Sequence, residues 1–256
     1  MKIASYNVNS IRVRLPLLLD WLSKNHIDLL CVQETKVQDK DFPAEAFEQN
    51  GYNCIFKGQK SYNGVAILSR YQAGQLHFGF EDEPTDGPRL IRAQLNAITV
   101  VNTYVPQGVA TDSEKFRYKL RWLERLLAFF KKNFDKKDPV LWVGDLNLAR
   151  LPIDVYDPER LSGHVCYHPE VTRRLEKIMQ WGFVDLFRQH CTEPRQYTFW
   201  DYRLPNAVKR HLGWRLDYIM ATKSLADKST NCYIDKQPRL ADRPSDHTPI
   251  IAELKI

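Results

Sequence analysis

The sequence predicts a layered α/β domain spanning residues 1–256. Three observations carry that prediction. Short apolar runs of strand type alternate along the chain with amphipathic segments of helical period. No Gly/Ser-rich linker, low-complexity tract or shift in composition cuts the chain. At 256 residues, a single core can bury about three quarters of the surface that the unfolded chain exposes.

The elements follow in order. Residues 2–6 read as a strand. Leu15, Leu18, Leu19 and Leu22 then line one face of a helix, with Pro16 tolerated in its first turn. Leu29-Leu30-Cys31-Val32 is a short apolar run suited to a buried strand. Val65-Ala66-Ile67-Leu68, residues 90–95 and residues 99–104 supply three more. Phe116, Leu120, Leu123, Leu127, Phe130 and Phe134 recur at spacings of four and three, the clearest helical pattern in the chain. Val140-Leu141-Trp142-Val143 is again a buried strand. Pro169 opens a helix carrying Val171, Leu175 and Ile178, and Gly182 closes it. Residues 216–221 and 249–254 complete the strands.

Hydrophobic residues make up 43% and charged residues 27% of the chain, which excludes a disordered or fibrous protein. No apolar run is long enough to span a membrane. The opening residues turn polar too soon for a signal peptide, so a cytoplasmic protein is expected. Lys and Arg number 37 against 31 Asp and Glu, a net charge of +6 that suits a polyanionic partner. Cys31, Cys54, Cys166, Cys191 and Cys232 are scattered and lack a C-x-x-C pair, the pattern of reduced thiols.

Several strands end abruptly in polar side chains. The first runs into Asn7, the second into Gln33-Glu34, and the strand from 99 delivers Tyr104 before Pro106. The strand from 140 delivers Gly144-Asp145-Leu146-Asn147, and residues two apart on a strand point to one side. Ser245-Asp246-His247 stands just before the last strand. A single strand-end carboxylate more often caps a turn than binds a ligand; here the pattern repeats at strand after strand. Such a set could hold one hard divalent cation and handle a proton.

Seven segments then carry a resemblance. They are Tyr6-Asn7-Val8-Asn9-Ser10-Ile11-Arg12, Cys31-Val32-Gln33-Glu34-Thr35-Lys36, Asn63-Gly64-Val65-Ala66, Asn102-Thr103-Tyr104-Val105-Pro106-Gln107-Gly108, Gly144-Asp145-Leu146-Asn147, Gly213-Trp214-Arg215-Leu216-Asp217-Tyr218 and Ser245-Asp246-His247-Thr248-Pro249. In order and spacing this series resembles the exonuclease III family of apurinic/apyrimidinic (AP) endonucleases. The resemblance implies a four-layered α/β sandwich, two mixed β-sheets packed face to face and flanked by helices. It implies Mg²⁺-dependent hydrolysis of the DNA backbone on the 5′ side of an abasic site, leaving a 3′-hydroxyl and a 5′-deoxyribose phosphate, with some 3′–5′ exonuclease or 3′-end trimming. Mn²⁺ is expected to substitute.

The same resemblance assigns the residues. Tyr104, Asp145, Asn147, Asp217 and His247 are the implied catalytic group. Asn7, Glu34, Asp145, Asn147, Asp246 and His247 are the implied surroundings of the metal, with Glu34 its principal ligand. Asp145 either deprotonates the attacking water or protonates the leaving oxygen. Asp217 fixes the His247 tautomer. Phe199, Trp214 and Leu216 wall the abasic-sugar pocket, while Trp200 is as readily ordinary core. Lys36, Lys60, Gln107 and Arg203 are the implied DNA contacts, made to phosphates without regard to base sequence. Gly108-Val109-Ala110-Thr111 departs from the vertebrate pattern, which inserts an arginine there. His164-Val165-Cys166-Tyr167-His168 alternates three soft ligands without a fourth nearby and reads as structural. The implied protein is a monomer of bacterial or archaeal type, cytoplasmic and nucleoid-associated, whose partner is double-stranded DNA containing abasic sites. The competing readings are a predominant 3′–5′ exodeoxyribonuclease, an endonuclease acting also at uridine or other altered nucleotides, and a catalytically silent binding relative. The intact Glu34, Asp145, Asn147 and His247 argue against the last.

Overall fold

The computed structural model of the chain describes residues 1–81 and 86–256. Among these lie strands β1 (Lys2–Asn7), β2 (Leu29–Gln33), β3 (Asn53–Lys57), β4 (Val65–Ser69), β5 (Ala73–Phe78), β6 (Leu90–Leu95), β7 (Ile98–Tyr104), β8 (Val140–Asp145), β9 (Phe183–Asp185), β10 (Asp217–Thr222), β11 (Ser229–Ile234) and β12 (Ile250–Leu254). One sheet has the order β11-β12-β1-β2-β4-β3 and the other β5-β6-β7-β8-β10-β9. Each is mixed, with one parallel pair at its centre, β1 with β2 and β7 with β8, and antiparallel pairs elsewhere.

Alternation along the strands builds the layers. Ile3, Cys31 and Ile67 face Val100, Leu141 and Ile219 across the space between the sheets. Tyr6, Leu30 and Val32 point the other way, against Leu18, Trp21 and Leu22 of the helix Ile11–Asn25. On the far side, Val101, Trp142 and Met220 meet Trp122, Leu126 and Phe130 of the helix Glu114–Asn133, with Leu175 and Ile178 of the helix Pro169–Gly182. The product is the four-layered α/β sandwich, helices outside and two sheets within. Among the described residues, no helix is long and apolar enough to cross a membrane.

Two sequence expectations need correction. The first helix begins at Ile11, so Pro16 falls in its second turn rather than its first. Pro16 has no N–H to offer the carbonyl of Arg12, and both residues lie on the solvent side, where the missing bond costs least. Four strands also went unpredicted: β3, β5, β9 and β11. They are the outer strands of the two sheets.

The register places the polar strand ends. Asn7 lies opposite Gln33 at the end of the parallel pair β1/β2. Tyr104 lies opposite Asp145 at the end of β7/β8, and Asp217, the first residue of β10, also lies opposite Asp145. Both parallel pairs therefore deliver their carboxyl ends to one edge of the sandwich, where ligand groups collect in α/β folds.

Candidate active site

At that edge Asn7 joins the two sheets. Its buried side-chain amide donates to Glu34 Oε1 and to Asp145 Oδ2, both at 2.8 Å. Asp145 is fully buried and also accepts from the Asn147 N–H at 2.8 Å and from the Asn147 amide at 3.2 Å. His247 completes the group, with Nδ1 2.8 Å from Asp217 Oδ2 and Nε2 3.8 Å from Asp145 Oδ2. A carboxylate and an imidazole thus stand side by side at this edge.

Burial governs the protonation of Asp145, pushing its carboxyl above the ordinary carboxylate range against the pull of His247. Burial alone would lower His247. The carboxylates of Asp217 and then Asp145 more than reverse this, so the imidazolium is held well above the usual histidine range. Tyr104 is partly buried beside Glu34, with which its hydroxyl bonds; burial and the charges of Glu34 and Asp145 raise it, so it stays a neutral donor. Arg89 brackets Tyr104, its guanidinium 4.9 Å from the ring centroid and hydrogen-bonded to the Tyr104 carbonyl at 3.2 Å.

Glu34 stands on strained backbone, at φ 54°, as do Lys36 at 56°, Asn9 at 44° and Asn147 at 49°. Gly64 supports this turn. Its carbonyl accepts from the Thr35 N–H, and a Cβ on it would lie 1.9 Å from Thr35 Oγ1. Burial would raise Glu34, but Lys36 and the Asn7 amide hold its carboxyl below the usual range. The Lys36 ammonium sits 2.7 Å from Glu34 Oε2 and 2.5 Å from Asn9 Oδ1, while the Asn9 amide donates to Asp246 Oδ1 at 2.9 Å. This set is hard, all-oxygen and already attracts a protein cation. Its chemistry fits Mg²⁺. The closest His/Asp grouping, Asp145, Asp217 and His247, fits a metal less well, because the His247 Nδ1 is already engaged with Asp217.

A cleft of about 540 Å³ adjoins this group, lined by the polar side chains of Glu34, Tyr104, Asn147, Asp246 and His247 and by the apolar ones of Phe199, Trp214 and Leu216. Phe199 and Trp214 are locked by reciprocal backbone bonds at 2.9 Å, and the Phe199 ring lies 4.8 Å from the His247 ring. Lys36, Gln107 and Arg203 lie on the cleft rim, Arg203 paired with Asp201. Lys60 is exposed and lies outside the lining. Trp200 belongs to a separate small cluster with Tyr197 and Ala207. His164 and His168 use their Nδ1 atoms on backbone N–H groups of Cys166 and Glu170, the latter as a helix cap. The cysteines are all free.

The sequence pattern of the family described as Endonuclease/Exonuclease/phosphatase matches residues 4–247. The chain belongs to that family. Within it the chain is a nuclease of the exonuclease III type. It is 32% identical over 268 residues to exodeoxyribonuclease III of Haemophilus influenzae, covering both proteins in full. An AP endonuclease from Archaeoglobus fulgidus has the same structure at TM-score 0.98 and 48% identity, each chain covered completely. A 3′–5′ exonuclease from Neisseria meningitidis follows at TM-score 0.97 and 36% identity, again over both whole chains.

Sequence reasoning missed several residues of this edge: Asn9, Arg89 and Lys119, and the further cleft residues Tyr156, Leu161 and His164. Asn9 stood in plain sight inside the first segment. Lys119 gave a fainter signal, a charge at an inward position of the apolar stripe between Phe116 and Leu123.

Proposed function

We propose that the chain incises duplex DNA on the 5′ side of an abasic nucleotide, in a Mg²⁺-dependent hydrolysis that leaves a 3′-hydroxyl and a 5′-deoxyribose phosphate. The observation that carries this reading is the fusion of a proton-handling Asp145–His247 pair to a small apolar slot. Phe199, Trp214 and Leu216 offer a base-free sugar an apolar wall. The whole-length likeness to the Archaeoglobus fulgidus AP endonuclease supports it.

In this reading the scissile phosphate meets the His247 imidazolium and the Tyr104 hydroxyl, which stabilise charge on its oxygens. Asp145 exchanges the proton with the attacking water or the departing 3′-oxygen, and Asn7 and Asn147 aim its carboxylate. Asp217 holds the imidazole in place. Glu34 and Asp246, with Asn7, Asn147 and Asp145 around them, would hold Mg²⁺, which would supply further positive charge to the phosphate; His247, kept as the imidazolium, has no lone pair for the metal and stands outside that set. Lys36, Gln107, Arg203 and, farther out, Lys60 would grip the duplex phosphates. Both sheets contribute, so residues 1–256 act as one domain. We read the protein as a cytoplasmic monomer working on nucleoid DNA.

The test uses two labelled duplexes, one intact and one with a single tetrahydrofuran abasic analogue, each with Mg²⁺ or chelator. Incision at the analogue alone, and only with metal, is expected. Progressive shortening of the intact duplex from its 3′ ends would instead establish the exonuclease as the main activity, a reading favoured by the Neisseria meningitidis likeness.

A further inference from the structure

Lys119 lies on the buried stripe of the helix Glu114–Asn133 and is 0% exposed. Its ammonium donates to three backbone carbonyls: Gln107 at 3.0 Å, Asn147 at 2.7 Å and Val165 at 2.7 Å. These carbonyls come from three separate loops, one after β7, one after β8 and one ahead of the helix Pro169–Gly182. Each loop reaches the cleft, through Gln107, Asn147 and Cys166. An ammonium has three N–H donors and no acceptor, and three carbonyls consume all of them. Burial pushes the ammonium down from the usual lysine range, and the three acceptors oppose this by favouring the charged form, since a neutral amine has only two N–H groups. An apolar residue would fill this position without the cost of burying a charge. It would also leave the three carbonyls without a donor, so what the lysine serves is the loops and not the helix stripe.

We propose that Lys119 is a positioning residue for phosphodiester hydrolysis. Its ammonium ties the three loops together beneath the cleft, and through the Asn147 carbonyl it fixes the loop whose side chain and N–H aim Asp145. Lys119 itself does not touch the substrate. This inference rests on the reading of the cleft as the hydrolytic site. It adds that the relative placement of the loops, and not only the residues facing the phosphate, sets the rate.

The test compares Lys119→Met, which keeps the stem and removes every donor, with Lys119→Arg, which keeps the charge. The kinetics are read on whichever labelled duplex the wild type cuts; a wild type that leaves the abasic duplex uncut defeats the functional reading and not this one. Lys119→Met should fold with a cooperative melt and lose about thirtyfold or more in kcat, with KM within about threefold. Lys119→Arg should recover most of the lost kcat. A folded Lys119→Met with kcat near wild type would overturn the proposal, as would a loss confined to KM. A second measurement does not depend on the Met variant folding. In a ¹H–¹⁵N spectrum selective for lysine ammonium groups at neutral pH, the wild type should show one slowly exchanging resonance that Lys119→Arg abolishes. Absence of that resonance in the wild type would also overturn it.

Discussion

His247 shows how two neighbours decide a side chain's chemistry. A buried imidazole ordinarily surrenders its proton, because burial disfavours charge. Here Asp217 at 2.8 Å from Nδ1 and Asp145 at 3.8 Å from Nε2 reverse that preference. The histidine pKa is raised, so the imidazolium survives neutral pH and is lost only as the pH climbs through the raised value. Activity that needs the imidazolium should therefore fall away on the alkaline side. Asp217→Asn removes the nearest anion while keeping a similar shape. It should move the alkaline limb of the kcat profile to lower pH and reduce kcat at neutral pH by about a hundredfold or more. A profile recorded from about pH 6 to about pH 10 checks this; an unmoved alkaline limb would remove Asp217 from control of His247. The orphaned Asp217 Oδ1, buried without a hydrogen-bond partner, is consistent with a carboxylate kept for its charge.

At the scale of elements, the segment leading into β10 carries two of the three pocket-wall residues, Trp214 and Leu216, and the Asp217 carboxylate within four residues. Arg215 anchors it from behind. Its guanidinium is fully buried, bonded to Asp154 at 2.8 and 3.0 Å and to Asp185 at 2.7 and 3.3 Å, and lies 4.2 Å from the Tyr218 ring centroid. Trp214 and Leu216 flank it and turn toward the cleft. Arg215→Met should cost about 3–5 kcal/mol, because it leaves buried carboxylates short of their partner. Arg215→Lys should fall between, keeping the charge without the two-pronged geometry. Denaturant midpoints measure both, and a loss under about 1 kcal/mol in Arg215→Met would show that Arg188, which also pairs with Asp154, suffices alone. This anchor was invisible in the sequence, where Arg215 reads as one polar letter in a motif. The central strands were legible because both faces are buried and their residues are almost uniformly apolar. The outer strands β3, β5 and β11 were not, because much of each faces water, and β9 was not because it is only three residues long and ends in Asp185. Lys119 was illegible for the same kind of reason: a charge on an apolar stripe looks like an interruption until its three acceptors are seen. The residues gathered at the candidate site were legible through the seven ordered segments, since each sets polar residues beside the start or the end of a buried strand.

Across the whole molecule, the site exists only where the two sheets meet, with Asn7 and Glu34 on one sheet and Tyr104, Asp145 and Asp217 on the other. Apolar packing between sheets tolerates sliding, so something must fix their relative position to within a fraction of an ångström. Asn102 of β7 is placed to do so. Fully buried between the layers, it crosses to the other sheet, donating to the carbonyls of Val32 at 3.0 Å and Ala66 at 2.8 Å and accepting from Gln33 at 2.8 Å. Gln33 is the register partner of Asn7 and the neighbour of Glu34. Asn102 lies two residues before Tyr104, so one side chain links the backbones that carry both halves of the site. Asn102→Ala should strip two buried carbonyls of the Asn102 donor and the Gln33 amide of its shortest bond, at about 2–4 kcal/mol in stability. Because the sheets would then settle in a slightly different register, kcat should also fall by about tenfold or more in protein that is still fully folded, with duplex affinity nearly unchanged. Equilibrium unfolding and single-turnover kinetics on one preparation separate the two effects. A variant that loses the stability but keeps the wild-type single-turnover rate would mean that the Asn7 bonds to Glu34 and Asp145 hold the two halves together unaided.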